Sequence, residues 1–379
     1  MRYYIIAGEA SGDLHGANLM KGLCKADPEA EFRFWGGDRM AEVGGADNLA
    51  RHYKSASFFG AVEVVRNLRT ILSQLSQCQQ DLLSYNPDVL ILVDYPGHNL
   101  KMAKFAKEHG IKVYYYISPK VWAWKKSRIK QLRKYVDQLF IIFPFEIEYF
   151  YQRGIEAIYE GNPLMDAIAE RTANLPSKDA FCEANNIDTD KPLVALLAGS
   201  RSSEIKNNLP QMAALARSMS DVQFVVASVS WLDRELYDRV AGDAPIKYVT
   251  DKTYELLSYA DAAVVTSGTA TLETALIGTP EVVCYSFDPL TMWLAKKLVK
   301  IKYISLVNII MGREVVKELL QKDMSVENAS AELRRVMRGG GGYEKMKADY
   351  AELAAVVGGA GASERFARRM VELLKSENR

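Results

Sequence analysis

The sequence predicts an α/β protein made of two Rossmann-like domains, and three observations lead there. Short continuous apolar runs recur, each followed by a loop of small residues and then a helical pattern. Val89-Leu90-Ile91-Leu92-Val93 has no polar alternation, which suits a strand covered on both faces, and strands alternating with helices imply parallel βαβ units. The series lapses near the middle and starts again, and 379 residues exceed what one hydrophobic core usually organises.

The first run, Tyr3 to Ala7, leads through Gly8-Glu9-Ala10-Ser11-Gly12-Asp13 into a helical pattern from Leu14 to Lys25, with Leu14, Leu19 and Leu23 among its apolar positions. Strands are then expected over Phe32 to Trp35, Val89 to Val93, Lys112 to Ile117 and Gln138 to Phe143. Helices are expected over Val62 to Ser84 and from near Leu100 to His109. This domain spans residues 1–170. The polar stretch 171–190, with Pro176, Ser177 and Asn185 to Asp190, is expected to be a linker. Strands over Leu193 to Leu197, Gln223 to Ala227, Ile246 to Val249, Ala262 to Val265 and Glu281 to Tyr285 build a second domain, 191–340. From Glu327 to Lys375 the propensity is helical, broken by Gly339 to Gly342 and by Gly358, Gly359 and Gly361; residues 341–379 are expected to be terminal helices.

A composition of 49% hydrophobic and 25% charged residues is that of an ordinary globular protein, and a net charge of +1 gives no general attraction to nucleic acid. No apolar run nears the ~18–20 residues that span a bilayer, and with a strand expected from the third residue no secretory leader is expected. The cysteines, Cys24, Cys78, Cys182 and Cys284, are dispersed, as in a cytoplasmic protein with reduced thiols. None of the histidines, His15, His52, His98 and His109, has a partner at metal-binding spacing, and each alone suits a structural or exposed role more than a ligand's. Charge is uneven locally: Lys120 to Lys134 holds seven Lys or Arg and no acid, with Trp122 and Trp124 among them. That stretch is either a surface that meets anions or a solvated helix face with two buried tryptophans.

In parallel α/β sheets, ligands collect beyond the carboxyl ends of strands, where free helix N-terminal N–H groups favour anions. Four motifs occupy such positions. Gly8 to Asp13 offers small residues, the Ser11 hydroxyl and the acids Glu9 and Asp13. Two acids make it a poor phosphate cradle, and it lacks the G-x-G-x-x-G pattern, so it is a tight turn or an acceptor-sugar contact. Asp94 follows Val93 directly and is the candidate general base, with His98 close behind; an Asx turn is the structural alternative. Gly199-Ser200-Arg201-Ser202-Ser203-Glu204-Ile205 presents a guanidinium suited to phosphate oxygens. Ser267-Gly268-Thr269-Ala270-Thr271-Leu272-Glu273 opens a helix where small hydroxyl residues suit a diphosphate and Glu273 a ribose diol, with a plain capping box as the alternative. Together they predict a nucleotide-sugar site.

The sequence resembles the lipid-A-disaccharide synthases through GEASGD at 8–13, SPKVWAWKKSRI at 118–129, FPFE at 143–146, GSRSSEI at 199–205 and SGTATLE at 267–273. WLAKKLVK at 293–300 and SLVNIIMGREVVKELLQ at 305–321 match as well. The resemblance implies a GT-B architecture whose two domains face a central cleft, acceptor mainly on the N-terminal domain and UDP mainly on the C-terminal one, with terminal helices packing back across. It implies an inverting, metal-independent glycosyltransferase joining UDP-2,3-diacylglucosamine to 2,3-diacylglucosamine 1-phosphate. By motif, Asp94 falls on the family's proposed catalytic Asp and Arg201 on its essential arginine. Ser267, Gly268, Thr269, Glu273 and Asn308 fall on UDP-site segments, and Glu9, Ser11, Asp13 and His98 on the acceptor side.

Acylated sugars sit in a membrane surface, which makes Trp122, Trp124, Lys125, Lys126 and Arg128 candidate contacts at the cytoplasmic face of the inner membrane. Trp293, Lys296, Lys297, Lys300 and Lys302 form a second candidate patch, and a homodimer is left open. The chain departs from the family pattern at Gly97-His98, where Asp-Phe is usual, at Gly161-Asn162-Pro163, in place of Gly-His, and at Val307, in place of proline. A UDP-N-acetylglucosamine 2-epimerase of similar build, or a non-catalytic UDP-sugar-binding protein, is the alternative.

Overall fold

The computed structural model describes residues 1–55, 67–122, 126–286 and 302–377. The chain divides into two units, Met1–Ala167 with Val357–Arg379, and Ile168–Val356.

The first unit holds a seven-stranded parallel sheet. Its strands are β1 (Arg2–Ala7), β2 (Glu31–Gly36), β3 (Leu49–His52), β4 (Val89–Val93), β5 (Lys112–Tyr116), β6 (Gln138–Ile141) and β7 (Ala157–Tyr159), in the order β3-β2-β1-β4-β5-β6-β7. The central strands are apolar on both faces because both are covered. Leu19, Leu23, Phe366 and Met370 close on one face, and Cys78, Leu82, Leu100 and Met102 on the other. The short strands at the two edges, β3 and β7, carry little apolar pattern and are absent from the expectation.

The second unit repeats the design with six parallel strands. These are β8 (Leu193–Leu197), β9 (Gln223–Ser228), β10 (Ile246–Thr250), β11 (Ala262–Thr266), β12 (Glu281–Tyr285) and β13 (Lys317–Leu320), in the order β10-β9-β8-β11-β12-β13. The expected linker is corrected here. Residues 168–190 belong to this unit: Ser177 caps a helix over Lys178–Ala184, accepting from the Ala180 N–H at 3.2 Å, and Phe181, Cys182 and Ile187 lie in the core with Leu193 and Leu197.

The terminal segment is likewise corrected, because its two helices part company. Tyr343–Val357 packs within the second unit up to Val356, and only Ala362–Glu377 returns to the first. The return is fixed locally. The Asp166 carboxylate accepts from the backbone N–H groups of Gly361, Ala362 (3.2 Å) and Ser363 (2.7 Å), satisfying the helix start. Gly22 lets the Ala10–Ala26 helix approach this last helix closely, since a Cβ there would lie 2.8 Å from that of Ala367.

The Gly339–Gly342 run also has a structural cause. Gly339 (φ 86°) follows the Val326–Val336 helix, and the Gly342 N–H returns to the Arg335 carbonyl at 2.9 Å. A side chain at 340 would overlap the Arg334 and Arg335 carbonyls, and one at 342 the Arg335 guanidinium.

Candidate active site

Strand order reverses at β1/β4 in the first sheet and at β8/β11 in the second, and these are the points where open α/β sheets bind ligands. The register pairs Ala7 with Val93 and Leu197 with Val265. The Gly8–Asp13 loop and Asp94 therefore emerge side by side, as do the loops carrying Arg201 and Ser267–Thr269.

In the first unit, Asp94 and Tyr95 both adopt left-handed backbone, with φ of 43° and 44°. For non-glycine residues this is strained, and the surroundings enforce it. The Asp94 N–H donates to the Tyr116 carbonyl at 3.0 Å, and its carbonyl accepts from Tyr115 Oη at 2.6 Å and Asn99 Nδ2 at 2.8 Å. Asn99 is fully buried and donates also to the Val93 carbonyl at 3.2 Å. Burial pushes the Asp94 carboxyl up to about 6, Glu9 adds to the rise, and Lys120 and Arg128 oppose it. A half-buried carboxylate so poised suits general base chemistry near neutrality. Gly8 admits the Tyr95 ring, which a methyl group at position 8 would overlap.

Ser11 is exposed and Glu9 half-buried at the start of the Ala10–Ala26 helix. Asp13 is different and corrects the acceptor assignment. Its carboxylate is buried and accepts from the N–H groups of Gly37 (2.6 Å), Met40 (3.1 Å) and Arg39 (3.2 Å), capping the Asp38–Gly44 helix. His98 is corrected too. Its ring lies between Trp35 and Tyr95, stacked at 5.5 and 5.8 Å, and burial lowers it to about 4, so it is a neutral member of an aromatic stack. At the second departure from the family pattern, Asn162 is buried and its Oδ1 accepts from the Leu164 N–H at 3.0 Å, at the start of the Leu164–Thr172 helix.

The basic stretch is organised by Glu146, whose role no sequence signal gave beyond its place in the FPFE motif. This buried acid accepts from Ser118 Oγ at 2.7 Å, Trp122 Nε1 at 3.1 Å and the Phe143 N–H at 3.2 Å, and burial pushes it up to about 7. Trp122, edge-on to Phe145 at 5.2 Å, is therefore a packed, half-buried side chain and not a free interfacial anchor. Lys126 is exposed and Arg128 half-buried; Trp124 and Lys125, with Trp293, Lys296, Lys297 and Lys300, lie outside the described residues.

In the second unit, Gly199 (φ 116°) turns the chain after β8, and Glu204 gathers the loop by accepting from the Ser200 N–H at 2.9 Å and Arg201 Nη1 at 2.9 Å. Arg201 is exposed, and an exposed pair of this kind contributes at most ~1 kcal/mol, so the guanidinium is easily redirected to an anion. Gly268 and the exposed Thr269 open the helix Thr269–Ile277, with no atom of the described residues within 4 Å of where a Gly268 Cβ would stand. Ser267 Oγ donates to the Ile304 carbonyl at 3.0 Å.

Glu273 accepts from Tyr254 Oη at 2.6 Å, and burial raises its carboxyl while Tyr254 and Arg171 oppose the rise. Arg171 lies 4.7 Å above the Tyr254 ring. These two partners escape sequence reasoning because they join only in space. Asn308 corrects its assignment to UDP. It is fully buried, its Nδ2 donates to the Val316 carbonyl (2.8 Å) and Glu318 (2.9 Å), and its Oδ1 accepts from the N–H groups of Val315 (2.7 Å) and Val316 (3.0 Å). It braces the segment Ser267 touches, and nothing is left over for a ligand. Among the described residues, no group of three or more His, Cys, Asp or Glu could hold a metal ion, and no helix is long and apolar enough to cross a membrane.

Two Rossmann-like units with loops at both switch points define the GT-B class of fold. Solved structures agree on the fold. The Staphylococcus aureus MnaA–UDP co-structure is similar with a TM-score of 0.70 at 13% identity, covering 99% of this chain and 97% of that one. Acinetobacter baumannii MurG is similar with a TM-score of 0.57 at 12% identity, covering 99% of each chain.

Sequence relatives narrow the class. The family model for lipid-A-disaccharide synthetase matches residues 3–361. Lipid-A-disaccharide synthase of Trichlorobacter lovleyi is 37% identical over 99% of this chain and 98% of that protein, and that of Geobacter sulfurreducens 36% over 98% and 97%. The chain belongs to the lipid-A-disaccharide synthase family, a family of glycosyltransferases. The epimerase alternative is not favoured, since likeness at 13% identity shows the fold alone.

Proposed function

We propose that the chain transfers 2,3-diacylglucosamine from UDP-2,3-diacylglucosamine to the 6-hydroxyl of 2,3-diacylglucosamine 1-phosphate, forming a β-1,6-linked disaccharide 1-phosphate and UDP by single displacement. Asp94 takes the hydroxyl proton as that oxygen bonds to the donor's anomeric carbon, whose bond to the UDP oxygen breaks on the opposite face, inverting the configuration. Arg201 and the N–H groups at the Gly268–Thr269 helix start meet the charge that develops on UDP, so no metal is assigned a part. Glu273, oriented by Tyr254, accepts from the ribose hydroxyls. Glu9 and Ser11 contact the acceptor sugar.

The observation that supports this most is the desolvated, strained Asp94 at one switch point, together with family membership. Acylated substrates support a location at the cytoplasmic face of the inner membrane. The exposed Lys126, Lys130, Arg133 and Lys134 are the described cations suited to anionic lipid there.

Mass spectrometry of a reaction given both acylated sugars tests the proposal: disaccharide 1-phosphate and UDP are expected in equal amounts, each dependent on acceptor. An epimerised nucleotide sugar formed without acceptor would overturn it.

A further inference from the structure

Among the described residues of the second unit, Trp231 stands out as an exposed tryptophan, with 65% of its surface open, in a loop that is otherwise held firmly. The Val229 N–H donates to Tyr237 Oη at 3.3 Å, the Ser230 N–H to Asp251 Oδ1 at 3.1 Å, and the Leu232 N–H to the Val229 carbonyl at 3.2 Å. The indole itself is oriented, because Nε1 donates to the Ser200 carbonyl at 3.1 Å. Its one polar atom is thus used on the loop that carries Arg201, and the apolar faces stay in water.

The residue follows β9, whose neighbours are β8 and β10, so it stands at the carboxyl edge of the sheet between the Gly199–Arg201 loop and the end of β10. That end is tied to the same loop: the Asp251 N–H donates to the Ser228 carbonyl at 3.0 Å, and Ser228 Oγ and Thr250 Oγ1 share a hydrogen bond at 2.9 Å. A large ring held in one orientation at a ligand-binding edge has lost its side-chain entropy before a ligand arrives, which favours stacking of a planar group.

We infer that Trp231 is the stacking platform for the nucleobase of the donor nucleotide, standing beside the loop whose Arg201 meets the diphosphate. The inference rests on the proposed placement of the nucleotide in the second unit, and it adds a specificity-determining residue that no motif marks. Base and diphosphate would then be bound by adjoining loops that share one hydrogen bond, from the Trp231 indole to Ser200.

The test titrates UDP, uridine and inorganic pyrophosphate against wild type, Trp231→Phe and Trp231→Ala by calorimetry, after circular dichroism confirms that each is folded. Trp231→Ala is expected to weaken both UDP and uridine about 5- to 150-fold, the size of one base–aromatic stack (~1–3 kcal/mol). Pyrophosphate should be unchanged. Trp231→Phe keeps an aromatic face without the N–H and should retain UDP affinity to within a few-fold. Equal weakening of pyrophosphate and UDP in Trp231→Ala would mean that the indole only braces the Ser200 loop, and would overturn the inference. So would unaltered UDP binding accompanied by a defect confined to donors with long acyl chains, which would assign the face to lipid. Wild type that binds none of the three would instead overturn the placement of the nucleotide itself.

Discussion

The two switch points share a topology and differ in almost everything else. At β1/β4 the chain presents two carboxylates, Glu9 on extended backbone and Asp94 on backbone strained by its own and Tyr95's left-handed conformation, and burial raises the Asp94 proton affinity. At β8/β11 it presents glycines at the turns, small hydroxyl residues, a helix start with no side-chain cap among the described residues and an exposed guanidinium. Strain at the first site, of order 1–3 kcal/mol per residue, holds a side chain where a proton is to be taken. Glycine at the second opens the backbone to an anion without that cost. Topology supplies the place, and residue chemistry divides the two, carboxylates at one and anion-suited groups at the other.

The largest effect that could break this division comes from Asp94→Asn. Turnover should fall by ~10²-fold or more while UDP affinity stays near wild type, because the carboxylate acts on the acceptor. A variant with unchanged turnover removes Asp94 from the mechanism.

Glu273→Ala should show the reverse pattern. UDP binding by calorimetry is expected to weaken by about tenfold or more, the size of a hydrogen bond to a charged group, with little change in acceptor affinity.

Glu281 sharpens the contrast, since it is a second desolvated acid, placed at the amino end of β12 and away from either site. It is fully buried, its carboxyl oxygens have no hydrogen-bond partner among the described residues, and burial holds its pKa well above the usual carboxylate range. The unfolded chain ionises near ~4.3 while the folded one does not, so this group lowers stability as pH rises above that value. Glu281→Gln should therefore gain on wild type by up to about 1.4 kcal/mol per pH unit, with Tm curves diverging toward pH 8 and activity unaltered. A Tm difference independent of pH would show that Glu281 is ionised in the fold.

The smallest effect is expected of His98→Phe. Phenylalanine fills the same stack between Trp35 and Tyr95 and has no proton to exchange, so kcat and Tm should both stay close to wild type. A large loss of acceptor affinity would return His98 to the acceptor site.

Much of this was legible in the sequence where local pattern decides the outcome. Val89–Val93 and Leu193–Leu197 are strands over the residues expected, because uninterrupted apolar runs leave no alternative for a sheet covered on both faces. Asp94 and Arg201 could be placed at strand ends for the same reason. Edge strands such as Lys317–Leu320 were missed because they are short and only partly buried. Lys178–Ala184 passed for linker because its polar surface outweighs the two residues, Phe181 and Cys182, that dock it.

The site residues failed in a different way. Asp13 and Asn308 have the residue types of ligand contacts, but their hydrogen-bonding capacity is used by backbone groups that a linear motif cannot reveal. Tyr254 and Arg171 meet Glu273 from distant parts of the chain. His98 departs from the usual phenylalanine yet keeps its packing, which the residue type alone conceals.

The central claim is that Asp94 must be ionised to take the acceptor's proton, and the pH dependence of kcat/KM tests it most directly. Wild type should gain activity with rising pH through about 6, the value to which burial raises this carboxyl. In Asp94→Asn that acidic limb should disappear from the residual rate. An acidic limb of the same position in both proteins would contradict the account.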